Sequence, residues 1–234
     1  MNFQEGAFLY INKPYGMSSF GALAYVRTRL SRALHVKRLK TGHAGTLDPL
    51  ATGVLILCTG KATKQIESLQ YATKEYTATL QLGATTASYD REHTVNMTYP
   101  TRHITRQLIE QTLPKFMGEI QQVPPVYSAC SVGGDRAYKL ARKGEKVELQ
   151  PKTLRIDEIE LTDFDPVKMQ MSIRVVCGKG TYIRALARDI GEALGSGAFL
   201  TALCRTRLGD VHINDCLTLD EFPAWIEKEL QSNQ

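Results

Sequence analysis

The segment Gly42–Gly53, GHAGTLDPLATG, is the most informative stretch of the chain. Its three glycines and one proline fix an unusual backbone path, and Asp48 is the carboxylate at its centre. Basic residues on both sides of the segment would hold that carboxylate ionised. Two interpretations are open at this point. Asp48 caps a turn before Pro49, or it does the chemistry open to a lone carboxylate, which is to attack a sugar carbon or to remove a proton.

Charge is distributed unevenly along the chain. The 234 residues carry 29 Lys and Arg against 24 Asp and Glu, a formal net charge of +5. Residues 210–234 contain six acids and one lysine, so residues 1–209 carry a net charge of +10. Between Gly6 and Ile66, Asp48 is the only acid among nine lysines and arginines. This asymmetry predicts a polyanionic partner.

The composition excludes several classes of protein. With 43% hydrophobic and 23% charged residues, the chain is not a disordered one. Its longest aliphatic run, Val54–Cys58, is far shorter than the about 20 residues of a membrane span, and Met1–Tyr10 lacks the basic start of a signal peptide. Five cysteines without a Cys-x-x-Cys pair and five scattered histidines predict no metal site and favour the cytoplasm. A nucleotide-binding enzyme is disfavoured, because Walker and Rossmann fingerprints are absent.

Hydrophobic periodicity predicts interleaved strands and helices. Strands are predicted at Phe8–Ile11, Val54–Cys58, Tyr76–Leu82, Leu154–Leu161, Met169–Cys177 and around Leu200–Leu208. Helices are predicted from a cap at Ser18 or Ser19 to about Leu34, and at Lys61–Leu69, Thr105–Met117, Ile183–Leu194 and near Leu219–Leu230. Lys37–Leu47 and Ala84–Arg102 are predicted to be irregular. Because no strict βαβ period appears, we expect a mixed α/β (α+β) fold with a largely antiparallel central sheet.

Three separated motifs resemble those of the bacterial tRNA pseudouridine synthase B family. They are Lys13-Pro14-x-Gly16-Met17-Ser18-Ser19, His43–Gly53 and Lys179-Gly180-Thr181-Tyr182-Ile183-Arg184, and they follow the family's order between about Leu9 and Gly209. The resemblance implies the pseudouridine synthase fold. It also implies isomerisation of uridine 55 in the T-loop of tRNA, with no cofactor, no metal and no membrane, so that the partner is the T-arm of tRNA.

The resemblance implies three catalytic residues. Asp48 falls on the family's aspartate, which attacks the ribose or, by a competing route, deprotonates C2′ to give a glycal. Arg184 falls on the arginine that pairs with that aspartate, although its helical position by itself favours a surface arginine. Tyr76 falls on the tyrosine that stacks on the base and takes the C5 proton, although its alternating strand by itself favours a structural aromatic. A phenol is also a poor base near neutral pH.

Further positions are implied to bind the RNA. His43 matches the residue that fills or stacks on the T-loop once the target uridine has been flipped out. Tyr182 and Leu203 match positions that line the uracil pocket, although Leu203 in its apolar run also suits a core. Lys64 and Arg205 are assigned to RNA phosphates or to structural roles.

Residues 124–150 correspond to the family's mobile insertion, which closes over the RNA loop. Tyr127-Ser128-Ala129, Arg136 and Arg142 keep its pattern, and basic side chains interleaved with tyrosine suit backbone neutralisation and base stacking. Cys130-Ser131 departs from the usual leucine and lysine. A further departure lies near Ala87, where the family usually has an additional aspartate that this chain lacks. The other aspartate of this loop, Asp90, is present.

The predicted organisation is a catalytic domain over residues 1–209 followed by an acidic helical tail over residues 210–234. That tail is too short for the family's usual small C-terminal RNA-binding domain. We expect a monomer, because no heptad or obvious hydrophobic patch appears. The alternative is a non-catalytic tRNA-binding or folding chaperone, in which the catalytic set would be superfluous.

Overall fold

A computed structural model of the chain describes residues 1–128, 130–145 and 147–231. The chain divides into two compact units. The first unit consists of Met1–Tyr76 and Cys204–Gln234, and the second unit consists of Thr77–Leu203. Within the described residues, no helix combines the length and the apolar character that crossing a membrane requires.

Strands and helices alternate along the described chain. The strands are β1 (Phe8–Lys13), β2 (Thr41–Ala44), β3 (Thr52–Thr59), β4 (Lys74–Leu82), β5 (Ala84–Thr86), β6 (Val95–Thr98), β7 (Gly118–Gln122), β8 (Ser131–Val132), β9 (Asp135–Arg136), β10 (Lys152–Asp165), β11 (Gln170–Cys177), β12 (Ala198–Leu208) and β13 (Val211–His212). The α-helices are α1 (Ser19–Ala33), α2 (Ile66–Tyr71), α3 (Arg106–Thr112), α4 (Ala137–Arg142), α5 (Ile183–Ala193) and α6 (Phe222–Gln231). Short 3-10 helices lie at Gly60–Gln65, Leu113–Phe116 and Ile213–Asp215. The fold is α+β, with helices flanking a mixed, largely antiparallel sheet, so the predicted fold class is confirmed.

Strand β3 is the centre of the first unit. Strands β1 and β2 both pair with it antiparallel, and the end of β12 pairs with it parallel. Leu55 and Leu57 pack into a core cluster with α1 and α6, whereas Val54, Ile56 and Cys58 pack into a second cluster with Ala62 and Leu208. Successive side chains of a strand point to opposite faces. Because both faces of β3 are covered, its run of apolar residues is continuous rather than alternating.

The second unit contains the longer antiparallel part of the sheet. Its strands follow the order β12, β4, β11, β10, β7, and β10 pairs with both β11 and β7. Two hairpins stand apart from that sheet, β5 with β6 and β8 with β9. Helix α5 carries an almost continuous buried face that includes Ala185, Leu186 and Ile190.

Most predicted elements are found with small shifts at their ends, but several segments differ from the prediction. The first half of the predicted helix Lys61–Leu69 is a 3-10 helix, and α2 begins only at Ile66. Lys37–Leu47 contains β2, because its backbone pairs with the distant β3. Ala84–Arg102 contains the β5–β6 hairpin, and β7 is a strand that the sequence pattern did not indicate. The predicted helix Thr105–Met117 ends at Thr112 and continues as a 3-10 turn that contains Pro114, whose ring disfavours an α-helix interior.

Candidate active site

The loop between β2 and β3 carries Asp48 and is held by the start of α1. The Ser19 hydroxyl donates to the Leu47 carbonyl at 3.0 Å and accepts from the Leu47 N–H at 2.8 Å. The Gly16 N–H donates to the Pro49 carbonyl at 2.9 Å. These bonds hold the backbone at Leu47 and Pro49, on either side of Asp48. The backbone that carries the partly exposed Asp48 carboxylate is therefore fixed in place.

A buried lysine lies under the same loop. Lys13 is fully buried, and its Nζ donates to the carbonyls of Pro14 at 2.9 Å, Met17 at 2.6 Å and Pro49 at 3.2 Å. Burial lowers the pKa of Lys13 to about 8; the charge of Asp48 opposes this shift, and that of Arg205 adds to it. At neutral pH the ammonium is still mostly protonated, so it places a positive charge near Asp48.

Arg205 supports the Asp48 loop from within, and the structure corrects its assignment to RNA phosphates. Only 1% of the residue is exposed. Its Nε donates to the Val54 carbonyl at 2.8 Å and its guanidinium also donates to the Gly45 carbonyl at 3.1 Å. A phosphate contact needs an accessible guanidinium, so the structural alternative is the correct one.

Gly53 is required where β3 passes Arg205. Its φ is +104°, and a Cβ added there would lie 2.2 Å from the Arg205 carbonyl oxygen. Any side chain would therefore separate β3 from β12 at the point where the Asp48 loop ends. This explains the last glycine of the sequence motif.

His43 lies on β2, opposite Leu57. Burial, with a smaller contribution from the Arg205 charge, lowers the pKa of His43 below its usual range, so the ring is neutral at pH 7. Its Nδ1 is buried and has no hydrogen-bond partner within the described chain. Buried polar atoms without partners are rare in folded proteins. The ring is therefore suited to stack on a base or to bond with a ligand.

Two further predicted residues lie in the first unit. Tyr76 is on β4 and is 7% exposed. Lys64 is exposed on the 3-10 helix Gly60–Gln65, as a phosphate-binding residue should be.

Arg184 lies in the first turn of α5, and it is buried rather than on the helix surface. It is 4% exposed, and its guanidinium donates to the carbonyls of Ser88 at 3.0 Å and Tyr127 at 2.8 Å. Its Nε lies 3.6 Å from the Asp90 carboxylate. The surface interpretation of this arginine is therefore wrong.

Asp90 is a part of this arrangement to which the sequence analysis gave no role. Its carboxylate accepts from the Ser88 hydroxyl at 2.5 Å and from the Glu92 N–H at 2.9 Å, and the residue is 6% exposed. These bonds fix the carboxylate, which in turn fixes Arg184. The sequence signal that could have identified Asp90 was the family resemblance, which places aspartates in this loop.

Tyr182 precedes α5 and is clamped by a buried glutamine. Its N–H donates to Gln122 Oε1 at 2.9 Å, and its carbonyl accepts from Gln122 Nε2 at 3.2 Å. Its hydroxyl lies 3.2 Å from the Cys130 sulfur. Gln122 was not predicted from the sequence, because a single glutamine in an unpredicted strand carries no signal. Leu203 is partly exposed on β12, so it is not a fully buried core residue.

The predicted insertion contains the β8–β9 hairpin and α4. Gly133 and Gly134 both have positive φ, 58° and 93°, as a two-residue type I′ turn requires. Arg136 and Arg142 are exposed, and Arg142 forms a surface ion pair with Glu92 at 3.0 Å. Such pairs contribute little stability, so Arg142 can exchange its partner for a phosphate. Ala129 of the Tyr127-Ser128-Ala129 pattern lies outside the described residues.

The structure thus gathers the predicted residues in two groups. In the first unit, His43 and Arg205 lie around the Asp48 loop. In the second unit, Arg184 and Tyr182 both contact the start of the insertion, through Tyr127 and Cys130. Among the described residues, no three His, Cys, Asp or Glu side chains form a group that could hold a metal ion.

Comparison with known families accounts for almost the whole chain. Residues 31–183 match the TruB family pseudouridylate synthase N-terminal domain, and residues 184–233 match the tRNA pseudouridylate synthase B C-terminal domain. The chain belongs to the TruB family of pseudouridine synthases. This confirms the resemblance carried by the three sequence motifs.

Curated members of the TruB family give the class of reaction. The chain is 63% identical to tRNA pseudouridine synthase B of Bacteroides fragilis over 229 residues, which cover 98% of this chain and 97% of that relative. It is 45% identical to the Dechloromonas aromatica protein of the same name, of which it spans 70%, and 94% of this chain is aligned. The chain is accordingly an enzyme, a tRNA pseudouridine synthase.

Solved structures of H/ACA ribonucleoprotein complexes share this fold. An archaeal box H/ACA sRNP Nop10–Cbf5 complex matches with a TM-score of 0.69 and 26% identity, covering 99% of this chain and 57% of that one. An H/ACA RNP bound to a substrate RNA containing 2′-deoxyuridine matches with a TM-score of 0.67 and 28% identity, covering 97% of this chain and 56% of that one.

Proposed function

We propose that the chain converts uridine 55 in the T-loop of tRNA to pseudouridine, in the cytoplasm and without a cofactor. The observation that carries this proposal is the Asp48 loop. Its backbone is fixed by Ser19 and Gly16, and the Lys13 ammonium lies beneath it. A carboxylate at a fixed position beside a positive charge suits attack on a sugar carbon or removal of a ribose proton.

The reaction begins when the target uridine leaves the folded T-loop, at a cost of a few kcal/mol. The Asp48 carboxylate then bonds to C1′ or removes the C2′ proton, and the C1′–N1 bond breaks. The freed uracil rotates, and a C1′–C5 bond forms as the Asp48–C1′ bond breaks or, on the glycal route, as Asp48 returns the proton to C2′. The C5 proton passes to a base, a role we assign to Tyr76, and N1 gains a proton, so the product is an isomer of the substrate.

The other assigned residues have surroundings that suit these steps. Arg184 has a guanidinium fixed by two carbonyls and by Asp90, which suits its assigned role as partner of the catalytic carboxylate. Tyr182 and Leu203 are assigned to the uracil, and neutral His43 is assigned to the vacated T-loop. Lys64, Arg136 and Arg142 are exposed cations that suit the RNA backbone.

The test is tritium release from unmodified tRNA transcripts labelled at uracil C5. We expect one tritium per tRNA from the wild type and from Asp220→Asn, a control that changes an exposed aspartate of the same unit. Asp48→Asn should lower the rate by at least about 1,000-fold, because the carboxylate is then lost from the reaction, while tRNA binding is largely preserved.

A second transcript, with cytidine at position 55, tests the site of modification and should release no tritium. Release from that transcript would contradict the position, and comparable release from Asp48→Asn would contradict the mechanism. If the wild type binds tRNA tightly but releases no tritium, the chaperone alternative is supported instead.

A further inference from the structure

A basic groove lies at the carboxyl end of α1, in the first unit. Its volume is about 710 Å³, and its cationic and titratable lining residues are Arg27, Arg32, His35, Lys37 and Arg38. We call it the α1 groove. No carboxylate of the described residues lines it. We propose that the α1 groove binds the sugar–phosphate backbone of the tRNA substrate, away from the loop that contains the modified uridine. This proposal rests on the proposed function for the identity of the RNA.

The positive charges of the groove are not compensated by the protein. Arg32, Lys37 and Arg38 are exposed, and within the described residues none of them forms an ion pair. Arg27 lies 5.9 Å from the ring of Phe20, a contact that leaves its charge in place. The stretch from Phe20 to Leu47 contains no acid that could pair with them. Like charges around one cavity repel each other, so an anion in the groove is favoured.

The backbone is shaped so that two segments contribute cations to the same groove. After α1 ends, the His35 N–H donates to the Arg32 carbonyl at 3.1 Å and the Val36 N–H donates to the Ser31 carbonyl at 3.0 Å. This C-cap places His35 at a φ of +53°, where glycine is the usual residue. The chain then turns back, and Leu39 packs in the core with Leu30. Lys37 and Arg38 are thereby fixed opposite the last turns of α1.

Stabilisation of the helix dipole does not account for all of these charges. A cation in the last turn interacts favourably with the carboxyl end of a helix, and Arg32 is in that position. The effect falls off within one turn, whereas Arg27 lies earlier in the helix and Arg38 lies four residues beyond its cap. Binding of a polyanion explains the whole set.

The groove is remote from the chemistry, which determines the kind of effect it has. Ser19, at the amino end of α1, holds the Asp48 loop, and the groove lies at the opposite end of this 15-residue helix. At 1.5 Å per residue the two ends are about 20 Å apart. The groove therefore contacts RNA beyond the reacting nucleotide and contributes to affinity rather than to bond cleavage.

The experiment compares two variants that each lose three positive charges. Arg32→Gln/Lys37→Gln/Arg38→Gln removes the groove charges, and Arg102→Gln/Arg106→Gln/Lys115→Gln removes exposed charges around α3 as the matched control. Dissociation constants for full-length tRNA are measured between 50 and 200 mM salt, with tritium release in parallel. The groove variant should bind tRNA about 10-fold more weakly. The slope of its log affinity against log salt concentration should become shallower by about 2 to 3, or roughly one per lost phosphate contact.

The lower kcat/KM of the groove variant should come from a higher KM rather than from a lower kcat. The control variant should change the dissociation constant for tRNA by less than about threefold. A second variant, Lys37→Glu/Arg38→Glu, lies outside α1 and so leaves the helix-end charges intact; it should bind at least as weakly as the triple variant. Unchanged affinity and slope in both groove variants, or an equal loss in the control, would overturn the proposal.

This experiment distinguishes a failure of the proposed function from a failure of the α1 groove proposal. Absence of tritium release from the wild type contradicts the proposed function, whatever the affinities are. The difference in tRNA affinity between the groove variants and the control still decides the role of the α1 groove. Circular dichroism of each variant at the assay temperature confirms that binding is compared between folded proteins.

Discussion

Lys13 connects the first sequence motif to the Asp48 loop. Three backbone carbonyls accept from its ammonium, and two of them belong to the turn that follows β1 while the third follows Asp48 itself. Removing the water from around an ammonium disfavours its charged form, which is why its pKa is lowered to about 8. The groups that act on it electrostatically are Asp48, which favours the charge, and Arg205, which opposes it.

The lowered pKa of Lys13 predicts a specific dependence of stability on pH. Between pH 8 and about 10.4 the unfolded chain keeps the proton that the folded chain has released, so the contribution of Lys13 to stability rises with pH. Below pH 8 both states are protonated, and burial of the charge opposes folding in full. Urea unfolding at pH 7 and pH 10 should therefore show wild-type stability rising by roughly 1–3 kcal/mol relative to Lys13→Met.

Comparison with the variant cancels the other groups that titrate in this range, such as the Cys58 thiol, whose pKa burial raises to about 11. Lys115→Met, at an exposed position, is the control and should show no pH-dependent difference from the wild type. A Lys13→Met difference that stays constant between pH 7 and pH 10 would contradict the lowered pKa.

At the scale of elements, β7 and α5 are joined through Gln122. This glutamine is 1% exposed, and both ends of its amide bond to the backbone of Tyr182, at the start of the helix. The N–H and the carbonyl of Tyr182 would not easily find other hydrogen-bond partners in a buried position, and unsatisfied buried polar groups are costly. The clamp therefore fixes where α5 begins, and with it the positions of Tyr182 and Arg184.

Gln122→Met keeps the shape of this side chain but removes both hydrogen bonds. We expect the free energy of unfolding to fall by about 1–3 kcal/mol, because the Tyr182 backbone groups lose their partner. Gln121→Met is the matched control: Gln121 is the preceding residue and is exposed, and within the described chain its side chain bonds to the Thr153 hydroxyl, at 2.7 Å. Chemical denaturation of both variants measures the difference, and equal stabilities would show that the clamp contributes nothing.

At the scale of the whole molecule, the net charge of +5 combines a basic stretch with an acidic end. In the first unit, α6 packs against α1 through Phe222 and Ile226, and none of its acids lines the α1 groove. Lys64, Arg136 and Arg142 are exposed cations, as are Arg32, Lys37 and Arg38 of the groove. On the proposed function, we expect tRNA to be bound mainly through phosphate contacts, which release counterions.

Binding of wild-type protein to tRNA should consequently weaken steeply as salt is added. If about four phosphates are neutralised, affinity falls by about 100-fold between 50 and 200 mM salt. Filter binding or fluorescence titration at several salt concentrations measures the slope. A flat response would contradict a phosphate-dominated interface, including the α1 groove.

The sequence by itself determined the local elements and the family. Strand β3, α1 and α5 were predicted because their apolar patterns and caps are local properties, and three ordered motifs identified the pseudouridine synthases. It did not reveal β2, β7 or the β5–β6 hairpin, because their hydrogen-bond partners are distant in the chain or their patterns are weak.

Only the tertiary structure decided what individual polar residues do. Arg205 and Lys64 both fit phosphate or structural roles by their sequence, yet one is buried against carbonyls and the other is exposed. Gln122 and Asp90 acquired roles through contacts with residues 60 and 94 positions away, respectively. The α1 groove exists because a C-cap turns the chain back on its helix. A pattern of residue types fixes periodicity and composition, whereas burial and pairing depend on which distant segments the fold brings together.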